Sequence, residues 1–189
     1  MTAGEEQSVA GLSTLCLAIP GGFLNSAQLK AIARISAEKG GGFADLTPRQ
    51  EIHLHGIKRE DLSQILQALE GAGISSAETG AGGSAATRLS AEAGPFEDAP
   101  DASQDRLGVH EQKQEGLFTL GFPVAAGRIR ENQMRKAADL AERHGDGTMR
   151  ITSLQNLLIL NIPHEKVAQV LEGLEMVGLS VSAPRAPEK

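Results

Sequence analysis

Two short runs of polar side chains in this sequence are spaced for chemistry. The first is Thr47-Pro48-Arg49-Gln50, followed by His53 and His55. Pro48 has the fixed φ that suits the second position of a β-turn, so the turn presents a guanidinium fork and an amide at the lip of a sheet. Such a fork suits carboxylates and small oxyanions. A turn arginine solvated by water is the plain alternative. His53 and His55 are two residues apart and so share one face of a strand. They could share a metal with His110, His144 or a carboxylate, although no spacing supports a third ligand. The second run is Arg150, Thr152, Gln155 and Asn156, with Arg128 and Arg130 upstream. The arginines could extend a carboxylate-binding surface, or sit solvated at a helix start and a strand edge. Gln155 and Asn156 have a second reading as amides that satisfy backbone groups at a turn.

The two runs are related by position. At an offset of 105, Gly42 falls on Gly147, Thr47 on Thr152, Gln50 on Gln155 and Ile57 on Ile162. The match continues without a gap, from Thr14-Leu15 on Thr119-Leu120 to Gly73 on Gly178. A repeat of this length is the signature of one structural unit used twice. Each unit reads as βαββαβ. In the first, residues 14–19 form an apolar strand closed by Pro20-Gly21-Gly22, and Asn25 or Ser26 caps a helix. Leu29, Ile32, Ala33 and Ile35 give that helix its apolar face, and Gly40-Gly41-Gly42 stops it. Strands follow at 43–46 and 51–55. A second helix begins near Arg59, with Leu62, Ile65, Leu66 and Leu69 on one buried face. Its copy carries Val167, Val170, Leu171 and Leu174. Last strands are expected at 74–77 and 179–181.

The strand pairs of the two units differ. Ile52 and Leu54 face one way and the two histidines the other, whereas residues 157–160 are apolar on both faces. The second strand is therefore expected to be covered on both sides and the first to keep a polar face. The chain divides into a flexible N-terminus (1–11), a first unit (12–78), a linker rich in Ala, Gly, Ser and Pro (79–108), a second unit (109–181) and a flexible tail (182–189). A unit of this size is marginal alone. The fold class is thus α+β, with two tandem units packed about a pseudo-twofold axis.

Composition removes several function classes. The 189 residues carry a net charge of −6, five Phe and neither Trp nor Tyr, which argues against a nucleic-acid partner, since that role needs a basic groove and stacking platforms. No apolar run approaches the roughly 18 residues of a membrane span. The acidic start has no apolar signal region, so a cytoplasmic location is expected. Cys16 is the one cysteine and cannot form an internal disulfide; in an apolar strand it reads as a small buried hydrophobe. Gly40-Gly41-Gly42 ends a helix instead of starting one, so it is no phosphate loop.

Taken together, the motifs resemble the ferredoxin-like half-domain of siroheme-dependent nitrite and sulfite reductases. The residues that carry the resemblance in the first unit are Gly22, Gly42-Phe43-Ala44-Asp45-Leu46-Thr47, Arg49-Gln50, and Gly56-Ile57 with Glu60-Asp61-Leu62. In the second they are Val109-His110-Glu111-Gln112-Lys113-Gln114, Gly127-Arg128, Gly147, Arg150-Ile151-Thr152 and Gln155-Asn156-Leu157-Leu158. The resemblance implies that Arg49 and Gln50 lie against siroheme and its anionic substrate, and that His55, before Gly56, lines the cofactor surface with His53. It places a further anion-binding arginine near Arg88, in Gly82-Gly83-Ser84-Ala85-Ala86-Thr87-Arg88; a solvated linker arginine is the other reading. In the family a redox module between the half-domains holds a [4Fe–4S] cluster on four cysteines. With one thiol this chain cannot hold such a cluster alone. The expectation is an accessory or remnant oxidoreductase component with no cofactor held alone, sharing siroheme at an interface with a cluster-bearing reductase subunit. The alternative is a non-catalytic interaction module, or a homo-oligomer built on the same fold.

Overall fold

The structure is a computed structural model that describes residues 12–77, 86–90 and 106–181. The expected flexible ends, and the linker apart from 86–90 and 106–108, lie outside the described residues.

The first unit runs β1 (Leu12–Ala18), β2 (Phe23–Asn25), α1 (Ser26–Lys39), β3 (Phe43–Leu46), β4 (Glu51–Lys58), α2 (Leu62–Glu70) and β5 (Ser75–Ala77). β6 (Ala86–Ser90) and β7 (Gly108–Glu111) come next. The second unit repeats the order as β8 (Leu117–Phe122), β9 (Arg128–Arg130), α3 (Glu131–His144), β10 (Thr148–Ile151), β11 (Leu157–Pro163) and α4 (Val167–Glu175). Local chemistry explains the boundaries. The Asn25 side chain accepts from the Gln28 amide and the Gln28 side chain accepts from the Asn25 amide, both at 2.9 Å, a reciprocal cap at the start of α1. The Gln50 amide donates to the Thr47 carbonyl at 2.9 Å, with Pro48 second in the turn. Gln50 itself takes φ 60° and closes the hairpin, and Gln155 does the same at φ 63°.

Strand order is β5-β6-β1-β4-β3-β9 in one sheet and β2-β10-β11-β8-β7 in the other. β4 lies antiparallel between β1 and β3, the split arrangement of a ferredoxin-like unit. Each unit also lends one strand to the other's sheet. β9 pairs with β3, setting Asp45 opposite Arg128, and β2 pairs with β10, setting Phe23 opposite Arg150. These three-residue exchange strands are absent from the sequence expectation. They make the two sheets interdependent about the pseudo-twofold axis.

The inner faces and the helices share one core. It holds Leu15, Leu17, Ile52 and Leu54 from the first unit with Phe122, Met149, Ile159 and Leu174 from the second. Burying a side chain of this kind is worth about 1.5–3 kcal/mol. α1 packs on α3, and Lys30 on α1 reaches Asp139 and Glu142 on α3.

Two expectations need correction. Residues 179–181 form no strand. The Leu179 amide instead donates to the Leu174 carbonyl at 3.0 Å, which closes α4 and turns the Leu179 side chain into the core. Within the stretch read as linker, 86–90 is a strand that separates β1 from β5.

Candidate functional site

Alternation along β1, β3 and β4 sorts side chains between core and surface. Leu15, Leu17, Ala44, Leu46, Ile52 and Leu54 are buried, while Thr14, Cys16, Phe43, Asp45, His53 and His55 are half-buried on the outer face. Register then sets Cys16, His53, Asp45 and Arg128 side by side across four strands. Cys16 is therefore not the core hydrophobe expected from its neighbours, since its parity is opposite to that of Leu15 and Leu17. Burial pushes its thiol pKa up, and the Glu51 charge adds to this.

This face carries a closed polar network. Arg128 donates from Nε to Asp45 Oδ1 at 2.7 Å and from Nη2 to Oδ2 at 2.9 Å. That fork holds the Asp45 carboxyl below its ordinary range, with the His55 hydrogen bond acting in the same direction. His55 lies with Nε2 2.8 Å from Asp45 Oδ2 and Nδ1 3.2 Å from Thr14 Oγ1. Its ring stacks on Phe43 at 5.5 Å, and the Arg128 guanidinium covers that same ring at 4.2 Å. Both ring nitrogens of His55 are thus engaged. Among the described residues His53 is held by Nε2 alone, 3.3 Å from Glu51 Oε2.

Arg49 stands apart from this network. Its guanidinium is exposed and has no hydrogen bond or ion pair among the described residues. It sits at the lip of an open groove of about 420 Å³ lined also by Ala18, Ile19, Pro20, Gly21, Gln50 and Glu51. The second unit braces the groove. Gln50 Nε2 donates to the Ile151 carbonyl at 3.1 Å, and Arg150 Nε donates to the Gly21 carbonyl at 3.1 Å. The Arg150 guanidinium lies 4.6 Å over the Phe23 ring and is nearly buried. Gly22, at φ +75°, allows this closeness: a Cβ there would stand 2.2 Å from the Ile151 carbonyl oxygen and 2.9 Å from Gln50 Nε2.

The sequence candidates thus separate. Arg49, His53, His55 and Arg128 gather on the first unit's hairpin and outer face. Arg150 and Gln50 join the units behind the groove, and Gln155 Nε2 makes the symmetric bond to the Leu46 carbonyl. Asn156 is buried, and its Oδ1 lies 3.4 Å from the Val124 amide. Arg88 lies on β6 opposite Ala18 and Ala77 by backbone register. At the position equivalent to Arg49 the second unit exposes Leu154. Its outer face is filled by Phe23, Leu158 and Leu160, as the apolar run 157–160 predicts. Two participants, Asp45 and Glu51, are not among the sequence candidates. Their signal is strand parity: Asp45 shares a face with Phe43, and Glu51 shares one with His53 and His55.

Comparison with known proteins places this geometry in context. Residues 5–72 and 110–177 each match the nitrite/sulfite reductase ferredoxin-like half domain. The chloroplastic ferredoxin–nitrite reductase of Oryza sativa subsp. japonica is 44% identical over 68 residues, which are 36% of this chain and 11% of that protein. Sulfite reductase (ferredoxin) 2 of Mycolicibacterium paratuberculosis is 39% identical over 75 residues, 40% of this chain and 13% of that protein. The chain therefore spans about a tenth of the length of the curated relatives it matches. Among solved structures, the Mycobacterium tuberculosis NirA protein superposes with a TM-score of 0.72 at 16% identity, over 91% of this chain and 58% of that chain. At that identity the likeness is one of fold.

Proposed function

This chain belongs to the nitrite/sulfite reductase ferredoxin-like half-domain family, and from that premise we propose that it is the anion-cradling component of a reductase-type oxidoreductase. Arg49 grips the anionic group, either a carboxylate of a siroheme-type tetrapyrrole or a small oxyanion. The observation that carries this reading is the Arg49 guanidinium itself, exposed at the lip of an open groove and without a partner among the described residues. A tetrapyrrole rimmed with carboxylates calls for such a fork on a face that is not already filled. The first outer face meets this requirement, whereas Phe23, Leu158 and Leu160 fill the second. Bound there, siroheme supplies the iron at which an oxyanion is reduced.

The chain's own residues bind and orient. Arg49 supplies charge. His53 presents a ring nitrogen that carries no hydrogen bond among the described residues. Asp45, Arg128 and Phe43 fix the His55 ring. The chain has one thiol, so a cluster would come from a partner subunit. Among the described residues no helix is long and apolar enough to cross a membrane, and on this reading the protein works in the cytoplasm. The self-association alternative has less behind it. The exposed large apolar side chains among the described residues are Val109 on β7, Leu154 in the turn before β11 and Met176 in the turn after α4. Titration of the protein with siroheme, followed by absorbance and repeated with Arg49→Ala, tests the proposal: saturable binding that depends on Arg49 is expected, and no spectral change refutes the tetrapyrrole as the ligand.

A further inference from the structure

We propose that the groove beside Arg49 selects oxyanions that carry a proton, and that Glu51 is the selecting residue. This rests on the anion-cradling reading and names its ligand class. Arg49 and Glu51 line the same groove, so an anion gripped by the guanidinium approaches a carboxylate. The Glu51 carboxylate is bonded through Oε2 to His53 Nε2 at 3.3 Å. Oε1 has no hydrogen-bond partner among the described residues. Among the described residues, Arg49 on the turn lines the same groove as Glu51, His53 on its own strand bonds to it, and Cys16 on β1 is acted on by its charge. Asp45 is engaged by Arg128 and His55.

A carboxylate acceptor in an anion site discriminates by proton content. An oxyanion with an O–H donates it to Glu51 while its other oxygens accept from Arg49, and every charge-assisted hydrogen bond is made. An oxyanion without a proton places a lone pair against the carboxylate, where like charges repel and no hydrogen bond forms. Inorganic phosphate near neutral pH carries protons, and sulfate of nearly the same size and shape carries none. Sulfite carries a proton at lower pH and loses it as pH rises.

The test is calorimetric titration of the full chain with phosphate, sulfate and sulfite. Phosphate is expected to bind about tenfold or more tightly than sulfate, and sulfite affinity to fall as its proton is lost. Glu51→Gln, checked for a native melting transition, is expected to bring phosphate and sulfate together by raising sulfate affinity. Equal affinity of the unaltered protein for phosphate and sulfate overturns the inference whatever the variant does, as does a preference unchanged by Glu51→Gln. Either result leaves the anion-cradling reading standing. Failure of all three anions to bind, with siroheme also failing, overturns both.

Discussion

Asp45 shows how one side chain can serve two purposes. It binds Arg128 across the seam between the units and also orients His55 on the open face. Arg128 holds its carboxyl below the ordinary range, so the sign of the pH effect follows. The contribution is complete above the unfolded value of about 3.9 and is lost as pH falls through the lower folded value. Asp45→Asn is therefore expected to lower the melting temperature at pH 7. The gap to the unaltered protein should close progressively below about pH 4. Melting curves across that range check this; a gap that persists in strong acid would show that the pair is not its source. The effect is expected to be modest and to weaken in salt, because Arg128 is largely exposed. Residue identities announced Arg49 and the two histidines as chemistry. They did not say which were already engaged. That Arg128 is taken by Asp45 depends on the pairing of β9 with β3, which no local pattern reveals.

Elements show the same division between what the chain states locally and what only the assembled fold decides. The strands β3, β4 and β11, the four helices, the Asn25 cap and the Pro48 turn were legible, because periodicity, capping and turn chemistry are local signals. The exchange strands were not. Phe23-Leu24-Asn25 and Arg128-Ile129-Arg130 are too short to show a period, and their partners are far away in sequence. Gly22 and Gly127 mark where the exchange begins. Each meets a Gln side chain of its own unit and the backbone carbonyl of the opposite unit to which that Gln donates, the two Gln staples being worth about 1 kcal/mol apiece. Gly22→Ala is expected to cost about 3 kcal/mol, from the positive φ and from overlap with the Ile151 carbonyl oxygen. Gly42→Ala has the same sign of φ but nothing within 4 Å of its Cβ, and is expected to cost about 1 kcal/mol. Urea denaturation of both variants checks the contrast, and equal losses would refute the role given to close approach.

At the scale of the molecule, the units are halves of one fold and not neighbours on a string. Each sheet contains a strand of the other unit, and one core draws on both. A fragment spanning residues 12–77 alone is expected to show no cooperative unfolding transition, and to gain one on mixing with a fragment spanning 106–181. A cooperative monomeric fragment would contradict this. The groove shares the dependence, since Arg150 and Ile151 brace the turn and hairpin that form it. Its asymmetry was only partly legible: the apolar run at 157–160 foretold a covered second face, but Phe23 as part of the covering comes from the first unit. On the proposed function, the first face receives an anion through Arg49. The most direct measurement is an absorbance titration of the full chain with siroheme, beside Arg49→Ala and Leu154→Ala. A saturable shift of the Soret band is expected at one site per chain, lost in Arg49→Ala and kept in Leu154→Ala. No shift, or one indifferent to Arg49, would contradict it.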